Sequence, residues 1–445
     1  MNFSFESKKL LENKNFSHRV VFKYLGIITM IIATAYLFLL SSREIYIFLA
    51  CRYFIFVFNN FAQHYLYGNN FFSMILAHSK HFEHNLFYYL IYSVLINIFL
   101  CFLFFVLIFS FQSFLDFSLD LYDLLFLLMW LFGQTASAFF QHAFQSKKLH
   151  FLSGLSTGFI ANISILAFCI FFYFIDSIDF KSILTAYGLA WIINFLILCA
   201  LFLRELNFSP IINISFRGYS EYGSFSEAIS QSLNTTFSLA PIIVSGIILE
   251  PSYAAIVSLS IYIFDISKLL PYNYKLSIRE DFIGSWMNKK EFSKVFKDFK
   301  KSYSLITFGI LFFCILVYCF AFLFNENIGF DKLNFETFLP ATVWVIVIYT
   351  FRSISSLFFP WTNNIITLGQ DGINHFTKVM FISTSFYFVL IISTSFFENI
   401  YVLMLTYVFF LSIVDMLNNQ FFLQKRIHNP KSDKLRKGSR VNDSK

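Results

Sequence analysis

The chain has 445 residues, of which 57% are hydrophobic, 22% aromatic and only 13% charged, with a mean hydropathy of +0.66 and a net charge of +7. Soluble domains carry about 25% charged residues, so this composition excludes a soluble globular protein and points to a polytopic membrane protein. The positive charge is spread over loops and tail, which suits the lipids of an anionic inner leaflet rather than nucleic acid, and no nucleic-acid-binding module is visible.

A membrane span needs about 20 apolar residues. The first run, Val20 to Leu40, is too long for the apolar core of a cleaved signal peptide and is read as a span. Further spans are expected at Ile45 to Phe61, Leu86 to Phe109, Leu121 to Ala143, Phe151 to Phe174 and Ile183 to Leu203. A second group follows at Leu233 to Leu249, Tyr253 to Leu270, Tyr303 to Leu323, Phe338 to Phe358, Val379 to Phe397 and Ile400 to Phe422. The polar stretch Asn207 to Glu227 separates the two groups of six, predicting an N-terminal lobe over 1–206, a C-terminal lobe over 207–427 and a basic tail over 428–445. The 67 phenylalanines are too numerous for a local motif and are read as lipid-facing filler. Pro241, Pro271 and Pro340 are expected to break or end helices in the second group.

The stretch from Lys268 to Lys301 is the most basic internal segment, and basic residues flanking a span resist translocation. The loop 271–301 is therefore placed in the cytoplasm. Phe292, Val295, Phe296 and Phe299 recur there at helical spacing with lysines opposite, predicting an amphipathic helix on the inner membrane surface. Alternating outward from this loop puts both termini and the Lys147–Lys148 pair inside, and leaves Asp116, Asp120, Asp176, Asp179 and Glu250 outside. Arg43, Lys181 and Lys332 are the basic residues left outside.

No P-loop, HExxH, GxSxG or dinucleotide fingerprint is present, so neither an ATP-driven pump nor an enzyme is expected, and no cofactor is implied. The six cysteines lie within apolar runs without a CxxC and read as small buried side chains. His78, His81 and His84 read as polar residues at the membrane interface rather than a metal site. Charges inside spans are costly and therefore informative. Arg52 either snorkels outward or lines a cavity as an anion ligand. Asp265 and Lys268, at i and i+3, share a helix face and either neutralise each other or set a titratable carboxylate beside a phosphate-binding amine. Lys23 and Arg352 sit at inner helix ends within snorkelling reach, and both join the candidate substrate ligands with Arg52 and Lys268. Asp415, in the inner half of the last span, needs a partner such as Arg352, and with Asp265 forms the candidate ion-coupling pair.

Three stretches carry a family likeness: FFQHAFQSKKLHFLSGLSTGFIANI, AAIVSLSIYIFDISKLLPYNYKLSIREDF with the lysine-rich NKKEFSKVFKDFKKS after it, and SLFFPWTNNIITLGQDGINHFTKVM. With the six-plus-six spacing, the chain resembles the Wzx-type oligosaccharide flippases of the multidrug/oligosaccharidyl-lipid/polysaccharide exporter superfamily. The resemblance implies an all-α fold of about twelve transmembrane helices, in two six-helix lobes around a central cavity lined by the first, second, seventh and eighth spans. It implies a polyprenyl-diphosphate-linked oligosaccharide as substrate, moved across the bacterial inner membrane for surface polysaccharide or O-antigen synthesis. Protons or sodium are the coupling ions in some relatives, and other polysaccharide-assembly proteins are expected partners. Two other readings stand beside it: a drug or metabolite exporter of the same superfamily, and an O-antigen polymerase. The short outer loops count against the polymerase, because an acceptor site needs a sizeable outer loop.

Overall fold

The computed structural model describes residues 22, 25–26, 28–67, 82–112, 118–146, 149–156, 158–205, 225–269, 271, 289–328, 334–358 and 370–411. Among the described residues every regular element is helical and none is a strand. In chain order the helices are α1 (Ile28–Leu39), α2 (Ser42–Tyr67), α3 (Phe82–Phe111), α4 (Leu121–Ser146), α5 (His150–Leu155), α6 (Phe159–Phe174) and α7 (Phe180–Arg204). Then come α8 (Phe225–Ile248), α9 (Pro251–Ser267), α10 (Lys289–Ile328), α11 (Phe335–Phe358), α12 (Gln370–Ser395) and α13 (Ile400–Leu411). Each expected span falls on one of these, so the chain is an all-α, multi-pass membrane protein. Six helices are long and apolar enough to cross a bilayer unaided, and shorter apolar helices cover the other expected spans.

Local chemistry sets several ends. At the start of α7, Asp179 accepts from the Ser182 amide while Ser182 Oγ accepts from the Asp179 amide, a reciprocal capping box. The span expected at Phe151 to Phe174 is divided into α5 and α6, because Gly158 takes φ +91°, which side-chain-bearing residues rarely adopt. Pro241 and Pro340 do not end helices as expected; α8 and α11 run through them. A proline deletes one intrahelical hydrogen bond, and packing along the rest of a long helix outweighs that local loss.

The basic segment also departs from expectation. Residues 289–301 do not form a separate surface helix but continue into the following span as α10, 40 residues long. No proline interrupts it, and its one glycine, Gly309, has open space around it. At 1.5 Å per residue the helix is about 60 Å long, roughly twice the hydrocarbon core. Its lysine-rich end therefore extends beyond the hydrocarbon, with Phe299 and Tyr303 buried and Lys294, Lys297 and Lys301 exposed.

The chain divides into two compact units: Met1–Tyr262 with Gly329–Phe338, and Ile263–Ile328 with Leu339–Lys445. In the first unit α4 lies so close to α7 that a Cβ on Gly133 would meet the Trp191 backbone at 2.6 Å. One on Gly188 would meet the Phe126 carbonyl oxygen at 2.8 Å. Small residues permit this approach where lipid supplies no hydrophobic drive between helices. α8, placed by the sequence in the second group of spans, packs along α2, with the Tyr46 ring tip filling the space beside Gly246. Phenylalanine plays two parts. Phe99, Phe102 and Phe109 on α3 are exposed, as lipid-facing filler should be. Phe139, Phe140, Phe144 and Phe202 instead form a fully buried cluster of edge-to-face and tilted rings. In the second unit, Ser304 Oγ donates to the Ser356 carbonyl (3.1 Å), and Tyr387 packs on Phe410.

Candidate functional site

Arg52 lies in the third turn of α2 and is 4% exposed. It does not snorkel. Its guanidinium carbon sits 4.1 Å from the centre of the Phe56 ring, one turn along the same helix, and 4.3 Å from that of Tyr262 on α9, with Tyr53 at 5.4 Å. Tyr262 is held in turn by Thr34 on α1. Thr34 Oγ1 donates to the Met30 carbonyl (2.8 Å), which leaves the Tyr262 hydroxyl to donate to Thr34 Oγ1 (2.9 Å). Behind this group, Tyr187 packs on Trp130 (4.5 Å between centroids) and Phe48 (5.1 Å).

The energetics of this arrangement are one-sided. Burying a guanidinium costs several kcal/mol, and a desolvated cation–π contact returns about 2 kcal/mol. Aromatic rings offer a guanidinium no hydrogen-bond acceptor in its own plane, where its N–H groups point. Arg52 Nη1 is buried with no hydrogen-bond partner among the described residues. A guanidinium is a planar, permanently charged fork, a shape able to hold phosphate oxygens in bidentate fashion.

A second group of charges gathers in the other unit. Asp265 and Lys268 form an ion pair, their side chains 11% and 29% exposed. Arg352 on α11 is 7% exposed, and its guanidinium lies over the Phe264 ring at 5.1 Å. Lys268 Nζ approaches the same ring at 5.7 Å. Tyr349 packs on Phe264 and shares a 2.8 Å hydrogen bond with Ser267. Arg352 is thus turned onto an aromatic ring rather than snorkelling from a helix end. The structure brings Asp265, Lys268 and Arg352 around one phenylalanine. Lys23, Asp415, His78 and His81 lie outside the described residues, as does the side chain of His84. Among the described residues no three histidine, cysteine or acidic side chains gather as a metal site, and all six cysteines are free thiols.

At the start of α4 and α7, Lys181 pairs with Asp120, one of the acidic residues among which the sequence reading expected it. The hydrogen bond from Lys181, foremost, holds the Asp120 carboxyl below its ordinary value. Sequence reasoning missed Tyr262, Thr34 and Phe56. Phe56 was legible as the i+4 neighbour of Arg52 on α2, whereas the other two reach the site from helices distant in the chain.

No family model matches the sequence, and no curated protein matches it. Solved structures do. The lipid II flippase MurJ, in an inward closed conformation, superposes with a TM-score of 0.65 at 15% identity, over 94% of this chain and 90% of that one. An inward-facing multidrug resistance MATE family transporter of the MOP superfamily matches with a TM-score of 0.59 at 11% identity, over 94% and 99%. The chain has the MOP-superfamily fold. A transporter of that superfamily from Pyrococcus furiosus matches with a TM-score of 0.52 at 10% identity, over 94% of each chain. These MOP-fold neighbours are transporters and flippases, not enzymes, and at such identities the likeness concerns the fold.

Proposed function

We propose that this protein translocates a polyprenyl-diphosphate-linked oligosaccharide across the bacterial inner membrane for surface polysaccharide assembly. The observation that carries this reading is Arg52, a buried cation beside the Phe56 and Tyr262 rings whose Nη1 has no hydrogen-bond partner among the described residues. A lipid-linked diphosphate crossing a bilayer must exchange its hydration for fixed donors, and Arg52 offers them where water does not compete. The MOP fold, shared with the lipid II flippase MurJ, is the scaffold such a task uses.

In this reading both termini and the lysine-rich end of α10 lie in the cytoplasm. Lys268, Arg352 and Lys23 supply further anion ligands, and Asp265 with Asp415 take the coupling proton or sodium ion. Other polysaccharide-assembly proteins are its partners. The MATE likeness supports a second reading, export of a small molecule. The two part on one experiment. Arg52→Gln in the native host should abolish surface polysaccharide on gels while membrane abundance on immunoblots stays normal. Full polymer from that variant would remove Arg52 from the site and favour the small-molecule reading.

A further inference from the structure

α2 carries a second polar feature on the face that bears Arg52. From Arg52, side chains follow at i+4, i+7 and i+11: Phe56, Asn59 and Gln63. Asn60 flanks them, and Gln231 and Thr235 lie on α8, which packs along α2 within the same unit. Gln63 Nε2 donates to Asn59 Oδ1 (3.0 Å), and Asn60 Nδ2 donates to Thr235 Oγ1. Asn59 is buried, while Asn60, Gln63, Gln231 and Thr235 are half-buried.

These bonds engage only part of the capacity present. Each primary amide offers two donors and two acceptor positions. One or two polar contacts suffice to hold membrane helices together, yet this stripe runs for more than a turn on both helices. A half-buried amide cannot turn its remaining groups to lipid cheaply, so the open side of the stripe faces polar matter. The side chains are all uncharged, and each amide both donates and accepts, as every sugar hydroxyl does. A second anionic group would call for arginine or lysine here. Asn59 and Gln63 stand about 10 and 16 Å along the helix from Arg52, the scale of a short oligosaccharide attached to a diphosphate.

We propose that Asn59, Asn60 and Gln63 of α2, with Gln231 and Thr235 of α8, form a carbohydrate subsite that binds the uncharged hydroxyls of the substrate while Arg52 takes its diphosphate. The proposal rests on the flippase reading above and adds to it where the sugar is held.

The test uses the purified full chain in nanodiscs and two probes: farnesyl diphosphate, and farnesyl diphosphate carrying N,N′-diacetylchitobiose. The quantity read is the sugar increment, the ratio of the two dissociation constants. In the native protein the glycosylated probe should bind about tenfold tighter, the effect of one or two added hydrogen bonds. The paired change Asn59→Leu with Gln63→Leu should bring the increment to about one. Gln231→Leu alone should lower it severalfold. Thermal unfolding checks that each variant is folded. If the paired variant fails to fold, Gln231→Leu decides. An increment unchanged in a folded variant, or absent in the native protein, makes the stripe a helix–helix adhesive and overturns the subsite. Arg52→Gln should weaken both probes and preserve the increment. If it weakens neither, the diphosphate reading fails, while the increment still reports on the subsite.

Discussion

Two buried arginines in this molecule rest on aromatic rings, and their settings differ in one respect. Arg52 lies beside the Phe56 and Tyr262 rings, and among the described residues no carboxylate bonds its buried Nη1. Arg352 shares the Phe264 ring with Lys268, whose charge is balanced by Asp265 in an ion pair. Rings stabilise a buried cation without discharging it, whereas a carboxylate discharges it. The first setting keeps a full positive charge available to an incoming anion. In the second, an anion must compete with Asp265, or Asp265 must first take a proton or a metal cation.

The largest expected effect separates the two directly. Arg52→Gln should cut transport by about 100-fold or more, since two charge-assisted hydrogen bonds are lost together. Lys268→Gln, which removes one half of a neutral pair, should reduce it only severalfold. Comparable losses from both, measured as surface polymer per unit of inserted protein, would erase the distinction. Next comes the ring that holds the guanidinium. Tyr262→Leu removes one ring and should weaken farnesyl diphosphate binding by about tenfold, whereas Tyr262→Phe keeps the ring, loses only the hydroxyl that bonds Thr34 and Tyr187, and should retain most of the affinity. Equal loss in both would assign Tyr262 a purely structural part. Asp265→Asn should make the second setting resemble the first. With Lys268 no longer neutralised, farnesyl diphosphate should bind about threefold tighter, and weaker binding would show that Asp265 positions the cations rather than masking them.

The smallest effect concerns an ion pair that is exposed rather than buried. The Asp120 carboxyl is held below the ordinary carboxylate value, chiefly by the hydrogen bond from Lys181. A depressed carboxyl contributes stability above its unfolded value and loses it as pH falls through the folded one. Lys181→Gln should therefore lower the unfolding midpoint slightly at pH 7, and the difference should close as the pH is taken below the folded value. A difference that persists in strong acid would trace to packing instead.

How much of this was legible beforehand depends on the range of the interaction concerned. Arg52 stood out because a charge in an apolar run is conspicuous. Asp265 and Lys268 stood out because i, i+3 spacing makes them neighbours on any helix. Tyr262 and Thr34 did not, since each is an ordinary residue of an apolar helix until folding sets it beside a residue from another part of the chain. Of the apolar face expected over 292–299, Phe299 is buried while Val295 and Phe296 are half-buried. Its continuity into the next span followed from the absence of any breaker, which periodicity does not count.

What the sequence determines by itself is local or additive: a helical membrane protein, about where each helix runs, and the short list of charges that a bilayer interior would penalise. These follow from hydropathy, helical period and desolvation, none of which needs a partner element. The tertiary structure alone decided that α8 packs along α2, that phenylalanine fills a buried cluster as well as the lipid face, and that the Arg52 guanidinium is enclosed by rings while Lys268 is neutralised. Those outcomes depend on which helices touch. Between apolar helices in lipid, that choice is made by close fit at residues such as Gly133 and Gly246 rather than by any difference in hydrophobicity.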